Sequence, residues 1–230
     1  MKPAALVATQ GWDPHEWAGY IRPLLPGRTI LTTDRRSTYD GSEAALADVH
    51  YALVWKAKQE LLDRLPNLRV LFSLGAGVDH VFALPRPPDV PIVRIVDPDL
   101  TARMAEYVVW QVLDHLRRGP VYRRQQRQHV WNEPANPRPH DVTVGLMGLG
   151  VMGEASARAL APFGFVLRGW SRTPRSIPGV ETFAGDEGLQ PFLAGTDILV
   201  CLLPLTPDTR GILDLKLMRS LRRGGASASA

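Results

Sequence analysis

The sequence predicts an α/β protein built from two units with parallel sheets, and three observations carry that prediction. Short apolar runs alternate with amphipathic or turn-rich stretches from residue 4 to residue 96. A single long helical pattern then breaks the alternation near residue 100. Beyond it, a second apolar run leads straight into a glycine-rich turn and an Ala-rich stretch. Strands that alternate with helices form parallel sheets covered on both faces, so each unit is expected to be a layered α/β sandwich.

In the first unit, Ala4–Ala8, Thr29–Leu31, Tyr51–Trp55, Val70–Leu74 and Ile92–Val96 read as strands. Helical patterns fall between them at Pro14–Leu25 and Gln59–Leu65. Pro26-Gly27 and Asp40-Gly41 are turn signals, and Pro85-Arg86-Pro87-Pro88 reads as a loop because proline cannot feed a central strand. The long helix runs from about Thr101, a candidate N-cap, to Arg118, with Gly119-Pro120 as its stop. A polar helix over Tyr122–Trp131 and a proline-bearing linker over Asn132–Pro139 follow. The boundary between units falls near residues 97 to 101, giving domains 1–97 and 98–230.

Composition narrows the function classes. Of the 230 residues, 45% are apolar and 22% charged, enough apolar surface to build a core and too much for a disordered polymer. Charged residues or prolines interrupt every apolar run before it reaches a bilayer-spanning length, so no membrane partner is expected. Met1-Lys2-Pro3 lacks the apolar core of a secretory signal, which reads as cytoplasmic. Cys201 is alone, so neither an internal disulfide nor a thiolate metal cage is available, and no metal is expected. The net charge of +4 rests on arginine, with only Lys2, Lys56, Lys58 and Lys216 as lysines. The densest cluster, Arg117, Arg118, Arg123, Arg124 and Arg127, has no aromatic stacking platform beyond Tyr122. We read it as a solvated face or a subunit contact, with no nucleic-acid partner.

Val142–Met147 reads as a buried parallel strand, followed at once by Gly148-x-Gly150-x-x-Gly153 and a helix over Glu154–Phe163. Strand, motif and helix in that order form the dinucleotide-binding fingerprint of a Rossmann domain. Gly148 permits the turn, Gly150 lets backbone approach a pyrophosphate, and Gly153 lets helix and strand pack closely. Leu149 lies within the turn, and the amides of Val151 and Met152 face the phosphates at the positive end of the helix. The competing reading is a tight turn that only packs. The next strand, Phe165–Trp170, runs into Ser171-Arg172-Thr173, with Arg175 nearby. An NAD site usually has an acid there. Serine and a guanidinium can instead hydrogen-bond a 2′-phosphate, which points to NADP(H), with NAD(H) possible if an acid elsewhere reads the ribose.

Ile198–Leu202 reads as a further strand, leading into Leu203-Pro204-Leu205-Thr206-Pro207-Asp208-Thr209-Arg210-Gly211. Together with Leu74-Gly75-Ala76-Gly77-Val78-Asp79-His80 and Met104-Ala105-Glu106-Tyr107, this stretch resembles the D-isomer-specific 2-hydroxyacid dehydrogenase family. Tyr51–Trp55, Trp170–Thr173 and Pro178–Gly185 are similar to its glyoxylate/hydroxypyruvate reductase branch. The resemblance implies a flavodoxin-like substrate domain, a Rossmann domain, an active cleft between them and a homodimer. It implies reduction of a small 2-oxo acid by hydride transfer from NADPH. By the same resemblance, Gly75, Ala76 and Gly77 present amides to the substrate carboxylate, an arrangement that matches an anion-binding nest. Trp55 walls the substrate pocket or packs in the core. Met104 touches the nicotinamide region or packs its helix, and Leu203, Pro204 and Thr209 border the cofactor. His80 and His115 are read as packing or capping residues.

The family's carbonyl-polarising Arg and its proton-delivering His–Glu pair have no match here, so no catalytic residue is expected in this chain. Leu221–Ala230 is small, polar and without a strand pattern, and reads as a truncated end that leaves the Rossmann domain incomplete and the edge of an apolar strand open. Two other functions stay open: a non-catalytic NAD(P)-binding sensor of the corepressor kind, and a dehydrogenase of another D-2-hydroxy acid.

Overall fold

In a computed structural model, the protein is described over residues 3–222 and, for the backbone alone, 226–229. The chain divides into two compact units at Asp97/Pro98. Unit 1 runs β1 (Ala4–Thr9), α1 (Pro14–Ile21), β2 (Ile30–Thr32), α2 (Glu43–Ala47), β3 (Val49–Trp55), α3 (Gln59–Leu62), β4 (Val70–Ser73), α4 (Asp79–Phe82) and β5 (Ile92–Val93). Its sheet order is β2-β1-β3-β4-β5 with every pair parallel, the flavodoxin-like order. All six residues of β1 are buried, as a strand with both faces covered requires.

Unit 2 opens with α5 (Pro98–Leu116) and α6 (Gly119–Arg127), then runs β6 (Thr143–Met147), α7 (Val151–Leu160), β7 (Val166–Ser171), β8 (Glu181–Ala184), α8 (Gly185–Ala194), β9 (Ile198–Cys201), α9 (Leu215–Arg219) and β10 (Ala226–Ser229). The sheet order β10-β9-β6-β7-β8, all parallel, places the fingerprint strand β6 at the centre. Alternate β6 side chains serve opposite layers. Val144 and Leu146 join Val108, Val112 and Leu116 of α5 and Ala157 and Leu160 of α7. Met147 joins Phe192 and Leu193 of α8 and Leu217 of α9.

Several boundaries differ from the sequence reading for local physical reasons. The helix expected over Pro14–Leu25 ends as α-helix at Ile21 and continues as a 3₁₀ turn through Leu24, since Pro23 lacks the N–H an α-ladder needs. The long helix starts at Pro98, so Thr101 lies within its first turn and does not cap it. Its break is at Arg118, held left-handed at φ +56°, and Gly119-Pro120 opens α6 instead of stopping α5. α6 ends at Arg127, short of Trp131. The helix expected to start at Glu154 begins at Val151. β8 and α8 had no expected counterpart.

The largest correction concerns the C-terminus. Ala226–Ser229 forms β10 in register with Ile198–Cys201, so the β9 edge is covered, whereas the sequence reading left it open. β9 in turn lies directly beside the fingerprint strand β6. Parallel pairing recruits backbone groups and requires no apolar side chain, so a run of Ala and Ser can supply it. Residues 223–225 and 230 of that tail lie outside the described residues.

Leu146, fully buried at the centre of β6, should be costly to shorten. Leu146→Ala is expected to lower the chain's unfolding free energy by about 2–5 kcal/mol in a urea titration with an unchanged slope.

Candidate functional site

The unit 2 site is built where β6 turns into α7. Gly148 holds φ at +108°, a region that side chains disfavour, and its N–H donates to the Trp170 carbonyl at 2.9 Å. A Cβ there would lie 2.9 Å from the Leu202 carbonyl carbon, and one on Gly153 would overlap the Gly148 carbonyl oxygen. Helix and strand can therefore meet only with glycine at 153. Leu149 is buried beneath the turn. Gly150 is the N-cap with no side-chain cap bond, and the position of its missing Cβ faces open space. The first α7 bond is Glu154 N–H to the Gly150 carbonyl at 2.9 Å. Among the described residues the N–H groups of Val151, Met152 and Gly153 have no partner. Three unpaired amides at the positive end of a helix form an anion cradle.

At the end of β7, the Ser171 hydroxyl donates to the Thr173 carbonyl at 2.8 Å and closes the turn. Arg172, Thr173 and Arg175 are exposed, and among the described residues neither arginine makes an ion pair. In the loop after β9, Leu203 is half-buried against the layer that holds Met147 and Phe192. The Thr209 hydroxyl donates to the Pro204 carbonyl at 2.5 Å and accepts from Thr206 N–H at 2.8 Å. Its bonding closes the loop, leaving shape as its contribution to whatever lies beside it. Met104 is half-buried on α5, one turn before the core residue Val108.

In unit 1 the strand order reverses between β1 and β3, and clefts in such sheets open at the carboxyl ends of those strands. Trp55 ends β3 there, and Trp12, just past β1, stacks on it at 4.7 Å with the rings 1° from parallel. Trp17 stacks on Trp12 at 5.7 Å. The loop Gly75-Ala76-Gly77 follows β4, and a Cβ on Gly75 would overlap the Trp55 ring. Gly75 N–H turns back to the Ser73 hydroxyl at 3.3 Å, while the Ala76 and Gly77 N–H groups have no partner among the described residues. Two amides of the three are thus free to face an anion. His80 packs 4.9 Å from Trp55, and burial, with Lys56 adding a smaller push against the pull of Asp79, holds its pKa below the ordinary 6.5. Trp12, Ser73 and His80 were not singled out by sequence as site residues. Trp12 carried a usable signal, an aromatic just beyond the carboxyl end of a central strand.

A cavity of about 550 Å³ beside α6, lined by residues that include Tyr122, Val130 and Trp131, contains none of these groups. Among the described residues no cluster of His, Cys, Asp or Glu could hold a metal ion, and no helix is long and apolar enough to cross a membrane.

The sequence profile of the D-isomer specific 2-hydroxyacid dehydrogenase NAD binding domain matches residues 109–226, which hold the whole glycine cradle. The chain belongs to that family. Among its 2-hydroxyacid dehydrogenase relatives, glyoxylate/hydroxypyruvate reductase A of Yersinia enterocolitica is 41% identical over 217 residues, covering 91% of this chain and 66% of the relative. Its Serratia proteamaculans counterpart is 41% identical, covering 93% and 67%. The chain thus spans about two thirds of the length of these curated relatives. A Sinorhizobium meliloti NADPH-dependent glyoxylate/hydroxypyruvate reductase, solved with NADP and sulfate, superposes with a TM-score of 0.85 at 46% identity, covering 97% of this chain and 69% of that one. A Xanthobacter autotrophicus 2-hydroxyacid dehydrogenase, solved with NADPH and MES, gives 0.90 at 36% identity, covering 100% and 72%.

Two outcomes follow for this member of the family. Gly153→Ala should displace α7 from β6 and abolish dinucleotide binding in a fluorescence titration. The neutral form of His80 is favoured in the folded chain, so its stabilising contribution is complete above pH 6.5 and is lost as pH falls through its depressed pKa. His80→Gln should accordingly flatten part of the acid limb of a stability–pH curve measured by thermal melting.

Proposed function

We propose that the chain carries the cofactor and substrate sites of an NADPH-dependent reductase that converts glyoxylate or hydroxypyruvate to the 2-hydroxy acid. The observation that carries this reading is the pairing of the amide cradle at Gly150–Gly153 with two exposed arginines, Arg172 and Arg175, after β7, neither in an ion pair among the described residues. An acidic residue at that place would repel a 2′-phosphate, whereas guanidinium groups bind it through charge-assisted hydrogen bonds. The cradle fits a dinucleotide, because open space at Gly150 lets a pyrophosphate reach the backbone and the first-turn amides have no other partner among the described residues. When bound, the dinucleotide supplies the hydride that reduces C2 of the oxo acid.

The chain's own residues bind and orient. Val151, Met152 and Gly153 amides hold the pyrophosphate, and Ser171, Arg172 and Thr173 read the adenosine ribose. Leu203, Pro204 and Thr209 shape the border of the cofactor site, with Met104 toward the nicotinamide. In unit 1, the Ala76 and Gly77 amides hold the substrate carboxylate, and the Trp55–Trp12 stack bounds a site suited to a small oxo acid. We assign proton delivery to the alkoxide to no residue of this chain. The same reading includes a cytoplasmic location and a homodimer, and an exposed aromatic pair on α5, Tyr107 and Trp110 with ring centroids 5.9 Å apart, supports the homodimer. The NADPH-dependent relative of Sinorhizobium meliloti supports the choice of cofactor.

Titrations with nucleotides and with 2-oxo acids test the proposal. NADPH should bind more tightly than NADH, and Arg172→Ala with Arg175→Ala should weaken NADPH roughly tenfold to a hundredfold while leaving NADH unchanged. Equal affinities in the parent chain would refute the 2′-phosphate assignment. Tight NADPH binding with no binding of either oxo acid would favour nucleotide sensing, and preferential binding of a different 2-oxo acid would reassign the substrate.

A further inference from the structure

We propose that Ser73 and His80 are positioning residues that set the Gly75–Gly77 loop and the Trp55 wall in one fixed arrangement through a directed line of hydrogen bonds. This rests on the reading of that loop as the substrate carboxylate site. Lys56, the residue after Trp55, donates its backbone N–H to His80 Nδ1 at 3.3 Å. An acceptor at Nδ1 puts the imidazole proton on Nε2, which lies 2.9 Å from the Ser73 hydroxyl. Nε2–H must therefore donate, and the serine oxygen accepts. Its second lone pair accepts the Gly75 N–H at 3.3 Å, and its one proton goes to the Gly77 carbonyl at 2.9 Å, with the Gly75 carbonyl farther away at 3.2 Å. Every donor and acceptor in the line is used once, so the direction of each bond is determined.

The line has two structural effects. It draws the Gly75 N–H and the Gly77 carbonyl inward to a buried hydroxyl, 2% exposed on Ser73 as a residue, while the Ala76 and Gly77 N–H groups have no partner among the described residues. It also fixes Lys56, which holds a left-handed φ of +53° without being glycine. The Lys56 ammonium rests 5.6 Å above the Trp55 ring, whose other neighbours are Trp12 and His80. One imidazole therefore links the strand end that carries the wall to the loop that carries the amides.

Protonation of His80 would break the line at Nδ1, which could no longer accept the Lys56 N–H. The charged groups facing the ring are Asp79 on its own helix and Lys56 from the end of β3, with uncharged Ser73 of β4 and Trp55 completing its surroundings. The sign of the effect on anion binding separates positioning from simple charge. A positive imidazole near the loop would tighten an anion by attraction. A loop released from its line would bind it more weakly.

The test is titration of the full chain with oxalate, a small planar dianion, followed by tryptophan fluorescence between pH 5 and pH 8. Ser73→Ala and His80→Ala should weaken oxalate roughly tenfold, and His80→Gln, which can still reach Ser73, should restore most of the loss. Parent affinity should fall toward pH 5 more steeply than that of His80→Gln. Amide hydrogen exchange at Ala76–Val78 should speed up in Ser73→Ala, a readout that remains informative if a variant is less stable. Gly77→Ala tests the loop reading separately. Parent binding lost in Gly77→Ala but unchanged in Ser73→Ala and His80→Ala, or tighter binding at pH 5, overturns positioning and leaves the loop reading intact. No oxalate binding by the parent, or binding untouched by Gly77→Ala, overturns both.

Discussion

The N-terminus of α7 sits so close to the end of β6 that a single methyl group at residue 153 would overlap the carbonyl oxygen of Gly148. That approach aims the three first-turn amides at one place and brings the loop after β9 alongside, where Leu202 N–H donates to the Met147 carbonyl at 2.8 Å. It also sets how the α5 and α7 core packs on the sheet, because Ala157 and Leu160 reach Val144 and Leu146 only with the helix seated this low. A conformation that side chains disfavour at Gly148 is stabilised by this surrounding layer, where Leu149 is almost fully buried.

Unit 1 applies the same rule to a different ligand chemistry. Both candidate sites lie beyond the carboxyl ends of parallel strands, where the turn toward the next helix leaves backbone N–H groups without a partner among the described residues. In unit 2 a helix organises those amides. In unit 1 the following helix has only four residues, and a buried serine and a half-buried histidine organise the loop instead. Stacked tryptophans add a rigid apolar wall beside that loop, a common way to confine a small planar ligand.

Legibility from sequence followed the range of the interactions concerned. The fingerprint was readable because strand, turn and helix constrain one another within about a dozen residues, and the family is shown by the profile match over residues 109–226. Helix ends were less readable. The Arg118 break and the 3₁₀ turn after Ile21 depend on backbone geometry that Gly119-Pro120 and Pro23 only partly announce. β8 and β10 could not be read from pattern: Glu-Thr-Phe-Ala is a four-residue run in which only Thr182 and Phe183 favour a strand, Ala-Ser-Ala-Ser has no strand former, and each is recruited by the edge of an earlier strand, β7 and β9. In the substrate-side loop, the glycines were visible while their supports were not. Ser73 is an ordinary strand residue by sequence, and His80 sits beside Asp79 in a way that suggests acid–base chemistry, although its ring is committed to Lys56 and Ser73. Trp12 becomes a partner of Trp55 only once β1 and β3 are adjacent.

In a dinucleotide cradle at Gly148–Gly153, phosphate fills the first-turn amides that have no partner among the described residues. Hydrogen–deuterium exchange of the full chain with and without NADPH addresses those amides directly. Exchange should slow at Val151, Met152 and Gly153, with weaker protection around Ser171–Thr173. NADPH binding that leaves these amides unprotected while slowing exchange elsewhere would contradict the phosphate cradle.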